Sequence, residues 1–266
     1  MYKRQEFIDA DLAHLKEMHH LHTLYVSGSI NGEGLVYLKG MTKLQSLTLT
    51  YTQITDVGLV HLNGLTLSQL SIPDQAKTDL GLKHYLAATE THTSLTLESW
   101  RVTDSGLVHL RGLTELQTLN LRGTQITDAG LAHLKGLVKL ETLSLPNQIT
   151  DAGLVHLKGL QLASLTIPRD AKTDLGLKHY LAALETHTAL NLGGWNITDA
   201  GLAHLKGMTN LQTLNLGGTQ TTAAGLAHLK GLVKLETLHL AATQITDVEL
   251  AHLKGCLLYT SDAADE

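Results

Sequence analysis

A spaced leucine pattern, L-x-x-L-x-L-x-x-T-x-I-T-D-x-G-L-x-x-L-x-x-L, returns along almost the whole chain. Successive copies are 22 to 25 residues apart, with the shortest step from Leu143 to Leu165 and a longest step from Leu70 to Leu95. A fixed period in the twenties is typical of a solenoid, in which each unit buries its apolar edge only against its neighbours. Any function must therefore lie on a face. The second leucine of each copy, or its stand-in, falls at Leu24, Leu47, Leu70, Leu95, Leu119, Leu143, Leu165, Leu190, Leu214 and Leu238.

The first half of one repeat, represented by residues 116–124, predicts a short strand and a turn. Leu119 and Leu121 alternate with polar residues, which is the period of two expected when one side of a strand is buried. Gly123 and Thr124 follow where the chain must turn away from the strand.

The second half, residues 126–137, predicts a short helix. Thr127 or Asp128 can cap its first turn by accepting a hydrogen bond from a free backbone N–H. Leu131 and Leu134 lie three residues apart and share one helical stripe that faces the strands. Gly136 is expected to end the helix with a positive φ.

The spaced leucines and the phrase I-T-D-A-G-L-A-H-L at residues 126–134 resemble the leucine-rich repeat family. The similarity is greatest to its cysteine-containing subclass of F-box-associated and bacterial arrays, and it covers roughly residues 7 to 255. It implies an α/β solenoid of about ten repeats, a horseshoe with parallel strands on the concave face and short helices on the convex face. Where the subclass carries Cys or Asn, this chain carries threonine, whose hydroxyl predicts a polar ladder in the turns. The threonines are Thr52, Thr124, Thr219 and Thr243.

A longer period of 95 residues lies over the short one. Residues 72–95 read IPDQAKTDLGLKHYLAATETHTSL, and residues 167–190 read IPRDAKTDLGLKHYLAALETHTAL. Four repeats therefore form a duplicated superunit within a single array over residues 1–255. Trp100 and Trp195 share the same offset and take the ladder position usually held by threonine. They are either larger plugs that fill each superunit or aromatic anchors on the rim of a binding face.

The last residues, CLLYTSDAADE at 256–266, break the register of the repeat. They resemble the translation of a transposase adaptor used in sequencing libraries, so we expect them to be non-native and to contribute no packing. Terminal repeats of solenoids normally carry polar caps. Since neither end shows such a cap, residues 1–255 are expected to be a fragment, with further repeats or caps of the same chain at both ends.

The composition gives no sign of a nucleic-acid or membrane partner. The formal net charge is −5, and lysines are scattered singly without forming a basic stripe, so no binding of nucleic acid is expected. No apolar run reaches the roughly 18 residues of a membrane helix, so no membrane association is expected.

Histidine occurs sixteen times, and ten copies share one repeat position, which we call the histidine column. Helices of neighbouring repeats lie about 8–10 Å apart, too far for single side chains to converge readily on one ion. The column is therefore expected to be structural on the convex face, with no metal and no cofactor. Like charges along it are expected to lower the folded-state pKa of its members. The column comprises His14, His61, His84, His109, His133, His156, His179, His204, His228 and His252.

Catalytic motifs are missing from the sequence, which has no H-E-x-x-H, no G-x-S-x-G and no glycine-rich phosphate loop. The recurring aspartates, such as Asp56, Asp128, Asp151 and Asp199, are predicted to stabilise helix N-termini. No catalytic residue is therefore predicted, and the chain is not expected to be an enzyme.

The outward residues of the strands, together with the turn residues that follow them, form the remaining surface, which we call the strand face. It is small, polar and nearly uncharged, and hot-spot residue types are few along it. The predicted partner-binding residues are Tyr25, Thr48, Ser71, Thr96, Trp100, Asn120, Arg122, Ser144, Thr166, Asn191, Trp195, Asn215 and His239.

The resemblance and the strand face together predict a non-enzymatic scaffold that binds a protein partner. Two alternatives remain open. One is the substrate-recognition segment of a larger ubiquitin-ligase-like or effector protein. The other is binding of a repetitive polysaccharide or ice surface, suggested by the regular rows of threonine and serine.

Overall fold

A computed structural model describes residues 7–90, 92–185 and 187–245 of the chain. These residues form two compact units, the first ending at Leu140 and the second beginning at Glu141. Each unit alternates short parallel strands with short helices, so the predicted α/β leucine-repeat fold is confirmed. The predictions for His252 and for the tail at 256–266 lie outside the described residues.

The five strands of the first unit place the repeat leucines opposite one another. They are β1 Thr23–Ser27, β2 Ser46–Tyr51, β3 Gln69–Ser71, β4 Ser94–Thr96 and β5 Thr118–Asn120. In the parallel pairing, Leu47 of β2 stands between Leu24 and Leu70, and Leu95 of β4 stands opposite Leu119. The period of the sequence thus determines which leucines stand opposite one another in the sheet.

The five strands of the second unit repeat this arrangement. They are β6 Thr142–Ser144, β7 Ser164–Thr166, β8 Ala189–Asn191, β9 Thr213–Asn215 and β10 Thr237–His239. Leu143 stands opposite Leu165, and Leu214 stands between Leu190 and Leu238. Burial of these leucines on one side leaves the residues beside them on the strand face.

Most helical segments are 3₁₀ turns, which range from three to nine residues in length. The α-helices are α1 Asp79–Ala88, α2 Asp174–Ala183, α3 Asp199–Leu202 and α4 Ala223–Leu226. The 3₁₀ segments are Asp9–Leu15, Glu33–Leu38, Gly58–Leu62, Asp74–Ala76, Gly106–Leu110, Asp128–Gly136, Gly153–Leu157, Arg169–Ala171, Ala203–Leu205 and Ala227–Leu229. The predicted stripe of Leu131 and Leu134 is confirmed, since both are fully buried.

The end of the helix at Gly136 differs from the prediction. Gly136 is the last residue of its 3₁₀ segment and is not among the residues with positive φ, whereas Gly112 and Gly159, at the same repeat position, have φ of 94° and 87°. Their helices end two residues earlier, at Leu110 and Leu157, so the chain turns through glycine there. The prediction is therefore wrong for Gly136 and holds for its counterparts.

The turn threonines form the polar row that the sequence predicts. Each donates its hydroxyl to the backbone carbonyl three residues earlier, at 2.7 Å, as Thr124 does to Leu121. These hydrogen bonds close the turn within one repeat. The polar row is therefore confirmed, but it does not join one repeat to the next.

Aspartate carboxylates join consecutive repeats. Asp104 accepts hydrogen bonds from the backbone N–H of Thr127 at 2.7 Å and from its hydroxyl at 2.6 Å. Thr127 begins its helix without a side-chain cap, whereas Thr198 and Thr222 donate to an aspartate in the same way and also accept from a backbone N–H of their own helix. The prediction that the aspartates lie at helix N-termini holds for Asp128 and Asp199, which stand in the first turns of their helices. The same pair of hydrogen bonds, from the N–H and the hydroxyl of a threonine to one carboxylate, links Asp79 to Thr103, Asp174 to Thr198 and Asp199 to Thr222.

Asp9 shows the electrostatic consequence of such a link. Burial raises the pKa of its carboxyl, but the backbone N–H groups of Asn31, Gly34 and Gly32 oppose this and leave the pKa below its ordinary value. Their donor–acceptor distances are 2.8, 2.7 and 3.1 Å. The ionised carboxylate is therefore the form that holds the repeat to the next one.

Candidate functional site

The strand face presents polar side chains beside buried leucines. Tyr25 is the most prominent of the predicted residues, with 75% of its surface exposed. The other predicted residues that are exposed are Ser71, Thr96, Arg122, Thr166, Asn191 and His239. Those that are half-buried are Thr48, Asn120, Ser144 and Asn215.

Amide side chains are linked across neighbouring strands of this face. The Nδ2 of Asn215 on β9 donates to Oδ1 of Asn191 on β8 at 3.0 Å. In the first unit, Nδ2 of Asn120 on β5 donates to a carboxylate oxygen of Glu98 at 3.1 Å. These bonds fix the orientation of the amides, so the face offers donors and acceptors in set positions.

Glu98 belongs to this face, although sequence reasoning missed it. Glu98 follows Thr96 by two residues, and side chains two residues apart in an extended chain lie on the same face, so the alternation that selects Thr96 also selects Glu98. The interpretation stopped at the strand centre and therefore left out a carboxylate that contacts a predicted binding residue, Asn120.

The two tryptophans lie inside the molecule. Trp100 is 7% exposed and Trp195 is 5% exposed. Trp100 meets Tyr85 edge to face with ring centroids 5.5 Å apart, and Trp195 meets Tyr180 in the same way at 5.2 Å. Their burial favours the interpretation as plugs of each superunit over that as rim anchors, because little indole surface is left for a partner.

Burial, more than repulsion within the histidine column, perturbs the histidines. Burial is the largest cause that lowers the pKa of His84, with Lys83 adding to it and Asp56 opposing it. Burial likewise lowers the pKa of His179, with Lys178 adding to it and Asp151 opposing it. The neighbouring column member also lowers the pKa in both cases, as the sequence predicts, but it is the smallest of the causes.

Two histidines outside the column are half-buried. Burial lowers the pKa of His92 and of His187, against backbone hydrogen bonds that raise it. Nε2 of His92 lies 3.2 Å from the hydroxyl of Thr89, whereas Nε2 of His187 is buried without a hydrogen-bond partner in the described part of the chain. The difference follows from the duplication, since Leu184 replaces Thr89 in the second copy.

Candidate metal sites and membrane-spanning helices are absent from the described residues. No group of three or more His, Cys, Asp or Glu side chains there could hold a metal ion. No helix in the same ranges is long and apolar enough to cross a membrane.

Comparison with known families identifies the repeats. Residues 114–158 match the family model described as leucine-rich repeats in two copies, and residues 40–62 match the one described as leucine-rich repeat. No match was found among curated proteins. The chain therefore carries leucine-rich repeats and has the fold of a leucine-rich repeat protein.

One of three similar solved structures, an internalin with a TM-score of 0.52, supports the same fold. An internalin, inlF from Listeria monocytogenes, is 24% identical with a TM-score of 0.52, over 91% of this chain and 74% of that one. Internalin C2 from the same organism is 26% identical with a TM-score of 0.38, over 88% of this chain and 84% of that one. The complex of TLR13 with ssRNA13 is 21% identical with a TM-score of 0.49, over 90% of this chain and 35% of that one.

Proposed function

We propose that this chain is a non-enzymatic scaffold that binds a protein partner through its strand face. Leucine-rich repeat proteins generally mediate protein–protein interaction and are typically binding proteins without catalytic activity. The observation that carries the proposal is the row of exposed and half-buried polar side chains held beside buried leucines in each of the two units. Such a surface is rigid before binding, which reduces the entropy lost on association.

The amide pairs support a partner that is polar at the centre of the contact. Asn215 donates to Asn191 and Asn120 donates to Glu98, and the oxygen of each of the three amides also accepts from the backbone N–H two residues on, so the amides are held in fixed positions. Each Nδ2 keeps at least one N–H group that can donate to a partner. A protein surface with matching backbone or side-chain groups would satisfy them, and interfaces typically form about one hydrogen bond per 100–200 Å². Tyr25 and Arg122 supply the residue types enriched in hot spots.

Arginine substitutions on the strand face test this proposal. Asn120→Arg, Ser144→Arg and Asn191→Arg each add bulk and charge beside a buried leucine without touching the core. We expect each of them to reduce capture of the partner by about tenfold or more, the effect of losing roughly 1.4 kcal/mol at an interface. Capture is measured by quantitative mass spectrometry after affinity purification from an extract of the source organism.

Matched controls lie on the helical side. Ala132→Arg and Ala203→Arg add the same group at exposed positions away from the strands. We expect them to leave capture unchanged. Loss of capture in these two variants, with capture retained in the strand-face variants, would contradict the proposal.

The absence of nucleic-acid binding stays a prediction based on charge. A fluorescence anisotropy titration with single-stranded RNA and DNA oligonucleotides measures it directly. Asn120→Glu places a negative charge where Asn120→Arg places a positive one. Saturable binding near physiological salt that Asn120→Glu abolishes would assign the strand face to nucleic acid instead.

A further inference from the structure

An open depression of about 430 Å³ lies beside Trp195 in the second unit. This volume falls within the range of roughly 300–1,000 Å³ that is usual for ligand sites. Its lining includes Arg169, Thr173, Gly194, Asn196 and Gln220. Nε2 of Gln220 donates to Oδ1 of Asn196 at 2.8 Å, which leaves the amide nitrogen of Asn196 as a donor toward a ligand.

At the equivalent place in the first superunit, a long side chain occupies the space. Arg101, the counterpart of Asn196, crosses it and donates to the backbone carbonyls of Gln75 at 2.9 Å and Asp74 at 3.3 Å. Ser99, the counterpart of Gly194, carries a side chain that Gly194 lacks. At these two positions the second superunit therefore carries smaller residues than the first, with Asn196 in place of Arg101 and Gly194 in place of Ser99.

The charge at this spot also changes between the copies. Lys77 pairs with Asp74 at 2.7 Å in the first superunit. In the second, Arg169 stands in the place of Asp74, and Lys172, the counterpart of Lys77, lies 6.0 Å from the ring centre of Trp195. Arg169 and Lys172 form no ion pair within the described ranges. Asp170 also lines the depression, so two positive charges stand near it against one negative charge.

We propose that this depression binds a carboxylate side chain of an acidic peptide segment. Arg169 presents a guanidinium, whose geometry matches a carboxylate, and the Asn196 amide can donate to the peptide beside it. A sugar ring is a poorer occupant, because it needs an open aromatic face and Trp195 is 5% exposed with its ring against Tyr180. The assignment rests on the proposed function in one respect, namely that the acidic segment belongs to a protein partner.

The test uses a fluorescein-labelled tetraglutamate peptide with blocked ends, titrated into the full chain and followed by anisotropy. A Trp100→Phe background leaves Trp195 as the single tryptophan, so its emission reports whether the peptide binds beside it. We expect saturable binding at concentrations up to about 1 mM, with a parallel change in Trp195 emission and weakening by added salt. The corresponding tetraglutamine peptide should not bind.

Two variants rebuild the closed form of the first superunit. Arg169→Asp restores the acidic residue, and the double variant Arg169→Asp with Asn196→Arg also restores the blocking side chain. Both positions are exposed, so far-UV circular dichroism should be unchanged. Each variant should weaken the peptide by about fivefold or more, since an attractive charge is replaced by a repulsive one and, in the double variant, the free space is filled as well. The matched control is Lys178→Asp, which makes a similar charge change at an exposed position of α2 and should leave binding unchanged.

Several results would overturn this site. These are absence of saturable binding, an unchanged affinity in both variants, or equal affinity for polygalacturonate or for an RNA oligonucleotide. Failure here is distinguishable from failure of the proposed function, because Asn120→Arg on the first unit should leave tetraglutamate binding intact. Loss of partner capture in Asn120→Arg with no tetraglutamate binding would reject the depression and retain the strand face.

Discussion

Buried and half-buried histidines are the residues whose ionisation is coupled to folding. His84, His92, His179 and His187 all have a folded pKa below the ordinary value, and burial is the largest cause in each. The unfolded chain therefore binds protons more readily than the folded chain once the pH falls below about 6.5. The free energy of unfolding should be greatest above that pH and should decline as the pH falls through it.

Replacing these four histidines by glutamine should flatten that decline. We expect the wild-type chain to lose stability between pH 7.5 and pH 5.5, and the quadruple variant to lose less, because glutamine takes up no proton in either state. Urea denaturation at the two pH values gives the difference in free energy directly. The absolute stability of the variant is not the readout, since burial of glutamine has its own cost.

The control for this prediction replaces exposed histidines of the column. His14 and His156 lie at the surface, and their change to glutamine should flatten the decline less than the change of the four partly buried histidines does. If the exposed set flattens the decline and the buried set does not, the assignment of the acid response to burial is wrong.

At the scale of the element, the T-D-x-G segment is a connector between repeats. The aspartate of one repeat holds the threonine of the next, and the glycine three residues after that threonine lets the carboxylate approach. A methyl group added at Gly130 would overlap with the carboxylate of Asp104 and crowd Ile126. The glycine is thus required by the link and not by a positive φ.

Gly130→Ala should therefore lower the free energy of unfolding by about 1–3 kcal/mol, the usual cost of inserting atoms into packed structure. Gly136→Ala lies in the same 3₁₀ segment, and an added methyl there meets nothing within 4 Å. We expect it to be neutral or to stabilise by up to about 1 kcal/mol, because alanine restricts the unfolded chain. Equal losses in the two variants, measured by urea denaturation, would rule out the proposed role of the link.

The sequence predicts the strands better than it predicts these links. The leucine period fixes which residues face the core, and the registers of Leu47 and Leu119 follow from it. The hydrogen-bond partner of Asp104 could not be predicted in the same way. A carboxylate at that position can accept either from the N-terminus of its own helix or from the next repeat, and the sequence does not distinguish the two. Only the recurrence of glycine three residues after each threonine carried a signal, and its meaning needs the distance between repeats.

The depression beside Trp195 could be predicted only in part. The 95-residue duplication aligns Asn196 with Arg101 and Arg169 with Asp74, so the changes are visible in the sequence. That these positions surround one spot is a property of the fold, since 27 residues separate Asp74 from Arg101 while their groups form a hydrogen bond. The burial of Trp195 also depends on its contact with Tyr180, which no spacing rule predicts.

For the whole molecule, the duplication has kept the core and varied the surface. The leucines and the tryptophan–tyrosine pairs recur in both units. The variable positions include Thr96 and Asn191 on the strand face, and Arg101 and Asn196 at the depression. Conserved packing with altered exposed groups is what a binding scaffold requires, because specificity then changes without loss of stability.

Site-specific photo-crosslinking tests the central claim most directly. A benzoylphenylalanine placed at Asn191 on the strand face, and another at Thr96, should each form a covalent adduct with the same protein partner in an extract of the source organism. The same probe at the exposed helical residues Ala132 and Ala203 should give no such adduct. Adducts from Ala132 and Ala203 alone, with none from Asn191 or Thr96, would contradict binding through the strand face.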